Sequence, residues 1–319
     1  MHEVLKRVGE IGVVPVVKIE KASDAVSLGK ALLAGDLPVA EITFRTAAAA
    51  EAIRNLTREL PELLVGAGTV LTVDQAKKAK AAGAKFIVSP GFNPAVVDWC
   101  KGQGIPITPG VSSPSEIEMG LERGLEVLKF FPAGASGGLE FLKAISAPYG
   151  SVLFMPTGGI DPSNLRDYLA FNRVHAVGGT WIAKETTISA GKFDEITKLA
   201  REAVAIALGF ELAHVGINDG NAETAMADAE TMARLFSFGV KDGASSVFAG
   251  SGFEFMKNPF LGAHGHIAIA TLNIGRAIAF LKRKGVGTKP ETAKEKDGRL
   301  TAVYLEREIS GFAVHLVQK

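Results

Sequence analysis

Lys129 sits in the run Val127-Leu128-Lys129-Phe130-Phe131-Pro132-Ala133, a cation among large apolar side chains that read as the end of a buried strand. A buried ammonium is costly, whereas an uncharged lysine amine is the nucleophile that condenses with a ketone to give an imine. The same residue could instead be a strand lysine whose stem lies on apolar surface while its head reaches water. Both roles fit the run taken alone. Glu41 and Arg45, in Glu41-Ile42-Thr43-Phe44-Arg45-Thr46, stand four positions apart, which at strand spacing directs both to one side. They would supply a base and an anion clamp, or else a structural ion pair that holds a strand-to-helix turn. Two glycine pairs, in Thr157-Gly158-Gly159 and Gly178-Gly179-Thr180, let a backbone approach a ligand closely and point N–H groups at an anion, although each pair could also be a tight turn.

These residues need elements that bring them together. From residue 13 to about 208, short apolar runs alternate with Ala-, Glu- and Lys-rich helical stretches. Strand candidates begin at Val13, Val39, Leu63, Phe86, Pro106, Val127, Val152 and Ala176. Helical windows fall at 22–35, 47–59, 72–82, 94–103, 114–123, 161–170 and 192–208, with start signals at Thr72-Val73-Asp74, Ser113-Pro114-Ser115-Glu116 and Asp161-Pro162. Near-continuous apolar strands between amphipathic helices predict a parallel sheet, and eight such units in about 200 residues predict an α/β protein built on a (β/α)8 TIM barrel. In that fold reactive groups sit at the C-terminal strand ends. Lys129 closes the sixth strand and Glu41 belongs to the second, so the two are expected to face each other across the barrel mouth.

After Phe210 the rhythm changes. A strand with His214-Val215-Gly216-Ile217, a helix over about 221–238 and strands at 240–250 and 252–258 are followed by a second strand with His266-Ile267-Ala268-Ile269. A helix at 274–284 and strands near 299–308 and 311–318 then complete the chain. The repetition predicts a smaller α+β domain of two βαββ modules, with domains at 1–210 and 211–319.

The formal charge of +1, from 35 Lys+Arg against 34 Asp+Glu, carries no footprint for nucleic acid or an anionic membrane. Cys100 is the only cysteine, which excludes a disulfide framework and a cysteine-rich metal cluster. The segment Met1–Arg7 lacks the apolar stretch of a signal peptide, and no apolar run is long enough to span a bilayer. A cytoplasmic protein acting on small molecules is expected.

Seven ordered motifs carry a resemblance: Glu41-Ile-Thr-Phe-Arg45-Thr46, Gly66-Ala-Gly-Thr69-Val70, Ile87-Val-Ser-Pro90-Gly91, Thr108-Pro-Gly-Val111, Leu128-Lys129-Phe-Phe-Pro132-Ala133, Pro156-Thr-Gly-Gly-Ile160 and Val177-Gly-Gly-Thr180-Trp181. Over residues 1 to about 208 the chain resembles the class I 2-keto-3-deoxy-6-phosphogluconate aldolases, also known as 4-hydroxy-2-oxoglutarate aldolases. The resemblance implies that Lys129 forms the Schiff base and that Glu41 is the general base. It also implies that Arg45 and Thr69 hold the pyruvyl carboxylate, that Pro90 shapes the pocket, and that Thr157, Gly158, Gly159, Gly179 and Thr180 line the substrate and phosphate site. Phe44 and Thr180 stand where the family commonly has leucine and serine. The barrel would need no cofactor, its partners would be a 2-keto acid and an aldehyde, and the chain would assemble as a homo-oligomer, a trimer by resemblance.

Residues 212–319 resemble the vicinal oxygen chelate, or glyoxalase-like, superfamily. The resemblance implies a divalent metal held by the first and last strands of each half, which here marks His214, His266 and His315. Aligning Gly252-Phe253 with Gly311-Phe312 sets Met256 opposite His315, and a thioether is a poor ligand for a hard cation. Glu254 could substitute only with a shift of register. Packing histidines in a domain without metal are the alternative. For the whole chain two rival functions also fit the residues: a phosphate-binding barrel lyase or synthase that forms no imine, and a non-enzymatic 2-keto-acid sensor.

Overall fold

The apolar runs of the first two hundred residues close into a barrel in the computed structural model, which describes residues 1–319. The chain divides into two compact units, Met1–Ala207 and Leu208–Lys319. No helix is long and apolar enough to cross a membrane.

The barrel strands of the first unit are β1 (Val13–Val17), β2 (Val39–Thr43), β3 (Leu64–Gly68), β4 (Ile87–Val88), β5 (Ile107–Thr108), β6 (Gly110–Val111), β7 (Val127–Phe130), β8 (Leu153–Pro156) and β9 (Val177–Gly179). Hydrogen bonding orders β5-β4-β3-β2-β1-β9 in one sheet and β6-β7-β8 in another. Parallel bridges Phe154–Val174 and Thr157–Gly178 join β8 to β9. β5 and β6 are one strand interrupted at Pro109, which has no N–H to give to the ladder. Eight parallel strands therefore close the ring. Every residue of β1, β2 and β3 is buried, and each fully buried Val, Leu or Ile contributes about 1.5–3 kcal/mol.

Helices α1 (Glu3–Ile11), α2 (Ala25–Ala34), α3 (Ala49–Glu59), α4 (Val73–Ala81), α5 (Pro94–Gly102), α6 (Pro114–Glu122), α7 (Gly138–Ser146), α8 (Leu165–Ala170), α9 (Glu185–Ser189) and α10 (Phe193–Leu208) accompany the strands. The Thr72 side chain caps α4, and Ser113 and Glu116 form a capping box on α6. The differences from the sequence-based expectation are local. α1, α7 and α9 lie outside the predicted windows. α8 starts at Leu165 instead of Asp161, because the Asp161 carboxylate accepts from the N–H and hydroxyl of Ser163 and holds a turn ahead of the helix.

The second unit contains β10 (Glu211–Asn218), α11 (Ala222–Phe236), β11 (Val240–Asp242), β12 (Ser246–Ala249) and β13 (Phe253–Met256), then β14 (Gly265–Thr271), α12 (Ile274–Arg283), β15 (Thr288–Lys296), β16 (Arg299–Leu305) and β17 (Phe312–Gln318). The modules are βαβββ, which corrects the expected βαββ. The run 240–250 breaks into two strands paired antiparallel, and β15 is a polar strand at the sheet edge that carries no apolar alternation. All eight strands form one sheet, β11-β12-β13-β10-β14-β17-β16-β15, in which β10 and β14 pair antiparallel at the centre and each module's first strand pairs parallel with its last.

Candidate active site

Glu41 and Lys129 are the buried charged side chains of the first unit, 0% and 4% exposed. β2 holds Glu41 in register between Val16 and Gly66, and β7 holds Lys129 between Gly110 and Met155. The Lys129 Nζ lies 3.8 Å from the Glu41 Oε1, close enough to pair electrostatically and too far for a good hydrogen bond. Both Glu41 carboxylate oxygens are buried with no hydrogen-bond partner. Such a pair is poised for a third group that carries a transferable proton. The Phe131 ring centroid is 5.1 Å from the Lys129 Nζ, an apolar wall that the sequence reading did not single out.

Space for the Glu41 carboxylate comes from Gly68 at the end of β3, where a Cβ would lie 2.0 Å from the Glu41 Oε1. Gly68→Ala is therefore expected to displace the carboxylate and lower kcat by about 100-fold, the scale of a 1 Å misplacement. Borohydride trapping of pyruvate should persist in the same variant, since the amine is untouched. Unchanged turnover in steady-state assays would contradict this role for Gly68.

The strand ends around the pair are tied to one another. The Thr43 hydroxyl donates to the Val17 carbonyl (2.9 Å), the Thr46 hydroxyl to the Ile19 carbonyl (2.6 Å), and the Phe44 N–H to the Gly68 carbonyl (2.7 Å). Exposed Arg45 donates from Nε to the Thr69 Oγ1 at 3.1 Å. Thr69 has φ 54°, a left-handed conformation that a β-branched residue adopts at a cost of order 1 kcal/mol or more and that cross-strand bonds must hold. Half-buried Pro90 lies against the β5–β6 interruption, its carbonyl oxygen 2.0 Å from where a Gly110 Cβ would be.

The glycine loops also meet. The Ala133 N–H donates to the Thr157 carbonyl and the Gly134 N–H to the Gly158 carbonyl, both at 2.8 Å, which ties the turn after β7 to the turn after β8. Gly158 and Gly159 take φ 92° and 76°, open to glycine and strained for other residues. Buried Thr157 fills the space beside Gly178, and exposed Thr180 follows Gly179 at the rim. The end of β1 adds an ionic cluster with no counterpart among the motifs of the sequence. There Lys18 pairs with Glu20 (2.7 Å) and with Glu185 (2.9 Å), and the bond to Glu20, then that to Glu185, raises its amine above the usual lysine range.

In the second unit, the His214 Nε2, His266 Nε2 and Glu254 Oε2 are mutually 3.1 Å apart. Donors about 2.0–2.1 Å from a tetrahedral zinc lie roughly 3.3 Å from one another, so this triangle has the size of a metal coordination face. The donor nitrogens of His214, His266 and His315 lie within 4.8 Å of one another, and the His315 Nε2 is buried with no hydrogen-bond partner. Burial, then the neighbouring imidazoles, pushes His315 down to about 3, which keeps it neutral and able to donate its lone pair to a cation. Burial alone would raise the Glu254 carboxyl, but hydrogen bonds from His214, His266 and Ser246 outweigh it and hold the group well below the usual carboxylate range. The Ser246 hydroxyl donates to the Glu254 Oε1 at 2.5 Å. Gly216 makes room for the His266 ring, whose Cε1 would be 2.1 Å from a Cβ there.

Glu254, not Met256, is the counterpart of His315 in the sheet. Gly216, two residues past His214, pairs with Glu254, and Ala268, two residues past His266, pairs with His315. Glu254 is thus the register equivalent of His315. The Gly-Phe alignment misleads because Phe253 pairs with Val215, after His214, whereas Phe312 pairs with Gly265, before His266. The cluster lines a cavity of about 540 Å³ whose walls include Phe248, Met256, Phe260 and Tyr304.

A (β/α)8 barrel with an amine and a carboxylate buried side by side at its strand ends defines a class I, imine-forming aldehyde-lyase. The family model for KDPG and KHG aldolase matches residues 4–199, and the chain belongs to that family. It is 48% identical to the 2-dehydro-3-deoxy-phosphogluconate aldolase of Treponema pallidum over 206 residues, 65% of this chain and 98% of the relative. A KDPG aldolase structure from Legionella pneumophila, with pyruvate captured at low pH as a covalent carbinolamine intermediate, matches with TM-score 0.61 and 41% identity over 62% of this chain and 97% of that one. The 2-keto-3-deoxy-6-phosphogluconate aldolase of Zymomonas mobilis with 3-phosphoglycerate matches with TM-score 0.59 and 40% identity, over 63% and 95% respectively.

Proposed function

We propose that the barrel cleaves 2-keto-3-deoxy-6-phosphogluconate to pyruvate and glyceraldehyde 3-phosphate, and 4-hydroxy-2-oxoglutarate to pyruvate and glyoxylate. The observation that carries this reading is the buried Lys129–Glu41 pair at 3.8 Å. In its neutral form the Lys129 amine adds to the C2 ketone, and loss of water leaves a protonated imine conjugated with the carboxylate. Glu41, directly or through a water, removes the proton of the C4 hydroxyl. The C3–C4 bond breaks, the aldehyde leaves, and the bonding pair enters the iminium to give the pyruvate enamine. Glu41 returns a proton to the enamine carbon, and hydrolysis of the imine releases pyruvate and the free amine. The iminium is the electron sink, so the cleavage step requires no metal. Arg45 and Thr69 hold the substrate carboxylate, Pro90 and Thr157 shape the pocket, and Gly158, Gly159, Gly179 and Thr180 receive the phosphate.

A coupled assay for pyruvate release, run on both substrates, tests this function. Turnover of the phosphorylated sugar acid and of hydroxyoxoglutarate supports it. No release from either, with folded protein, contradicts it and leaves the sensor reading. The expected assembly is a homo-oligomer, a trimer by resemblance, and light scattering should return three times the chain mass.

The second unit we read as a glyoxalase-like, vicinal oxygen chelate domain that holds a divalent cation through His214, Glu254, His266 and His315. The 3.1 Å triangle and the unpartnered His315 nitrogen support it. Such an ion would act as a Lewis acid on an oxygen ligand. Metal analysis after dialysis against zinc or cobalt should give one ion per chain. Glu254→Gln and His266→Ala should each weaken uptake by about 10-fold or more. Equal uptake by the wild type and both variants would contradict the site.

A further inference from the structure

The cavity that opens on the His214, Glu254, His266 and His315 cluster is chemically two-sided. Its floor is the cluster. Its walls are mostly apolar, with Phe248, Met256, Pro259, Phe260 and Val317 among them and Ser245 and Asn258 as the neutral polar side chains, and the Tyr304 ring stacks on His315 at 4.6 Å between centroids and 15° between planes. At about 540 Å³ it lies in the usual size range of small-molecule sites, roughly 300–1,000 Å³.

One cation other than the cluster lines it, Lys294. β15 pairs irregularly with β16 on both sides of this residue, between Lys289 and Lys294 and again between Lys294 and Glu295. Irregularities of this kind re-aim a side chain that a regular ladder would send elsewhere. Lys294 lines the same cavity as His214, Glu254, His266 and His315, so the ammonium and the cluster face one space. A divalent ion facing the single carboxylate of Glu254 leaves this floor cationic, and Lys294 adds to it. A polyhydroxylated sugar acid would leave its hydroxyls unpaired against the apolar walls. The phosphorylated sugar acid proposed for the barrel is therefore a poor fit for this cavity.

We propose that the second unit binds an organic carboxylate with an apolar body about the size of a phenyl ring, its oxygens on the metal ion, its charge met by Lys294, and its body against Phe248, Met256 and Phe260. This rests on the reading of His214, Glu254, His266 and His315 as a metal centre. The ligand differs in kind from the substrate of the barrel, so the chain carries two sites of different chemistry.

The test uses the full chain loaded with cobalt(II) and the probe 3-phenyllactate, a 2-hydroxy acid that has no ketone to form an imine in the barrel. Cobalt uptake is measured first. Binding is then read from the visible spectrum of the bound cobalt and by titration calorimetry. The expected result is a spectral change on adding 3-phenyllactate and an affinity at least about 10-fold above that of its methyl ester and of lactate. Lys294→Met should bind cobalt as the parent does and lose about 10-fold in 3-phenyllactate affinity, with Lys294→Arg restoring most of it. If cobalt is taken up but acid and ester bind equally, or Lys294→Met binds 3-phenyllactate as tightly as the parent, the ligand assignment is wrong while the metal centre stands. If cobalt is not taken up, the metal centre fails and the ligand assignment fails with it.

Discussion

Lys129→Met is expected to eliminate aldol cleavage, with a loss on the order of 10⁴-fold or more in kcat/KM for both substrates. The imine is the only electron sink in the proposed mechanism, so a side chain that cannot form it leaves no path for the C3–C4 bonding pair. The variant should still fold. Lys129 is 4% exposed and lies beside the Phe131 ring, an apolar setting that a methionine of similar length fills. Circular dichroism and thermal melting check the fold, and a coupled assay for pyruvate checks the loss. Retained turnover in a folded variant would assign the nucleophile elsewhere and favour the imine-free lyase that the residues alone left open.

Glu41→Gln separates proton transfer from imine formation. The amide keeps the volume of the acid in the space left by Gly68 but removes the base, and general base catalysis of this kind contributes roughly 10²–10⁴-fold. Turnover should fall by that amount, while borohydride still traps pyruvate on the protein. Exchange of the pyruvate methyl protons with solvent, followed by proton NMR, should slow by a similar factor, because the same carboxylate protonates and deprotonates the enamine carbon. Exchange at the wild-type rate would remove Glu41 from that role. The substitution separates steps as well as counting losses, and this distinguishes a base from a residue that merely supports the lysine.

Much of the barrel was legible because its signals are local. Continuous apolar runs mark buried parallel strands, Thr72 and the Ser113/Glu116 box mark helix starts, and the polar residues that close each strand mark the mouth. Lys129 stood out because a charged residue inside such a run is costly and needs a purpose, and Glu41 because it stands four positions from Arg45 at a strand end. The 3.8 Å separation of the pair depends on the closure of eight strands and on the absence of a side chain at Gly68, which no window of sequence reports. Lys18 was missed because its second partner, Glu185, lies at the far end of the barrel sequence and meets it only when β1 pairs with β9.

The second unit was harder to read. β15 is rich in Lys, Glu and Thr and lies at the sheet edge, so it has no buried face to impose a period-two pattern. All three residues of β11 are exposed, and it merged with β12 into one apparent strand. The three histidines were found by their repetition at the starts and end of the modules. Glu254 was displaced by two positions because register is set by hydrogen bonding across the sheet and not by matching a Gly-Phe pair. That two-residue correction changes a thioether into a carboxylate at the counterpart of His315, and so changes the chemistry the cluster can do.

The central claim is that Lys129 captures a keto acid covalently. Incubating the full chain with pyruvate and sodium borohydride, then digesting it and sequencing the peptides by mass spectrometry, tests this directly. The predicted result is one pyruvate-derived adduct per chain, on the Nζ of Lys129, in the peptide that contains Phe130-Phe131-Pro132. An adduct on another lysine, or no adduct from a protein that releases pyruvate from its substrates, would contradict it.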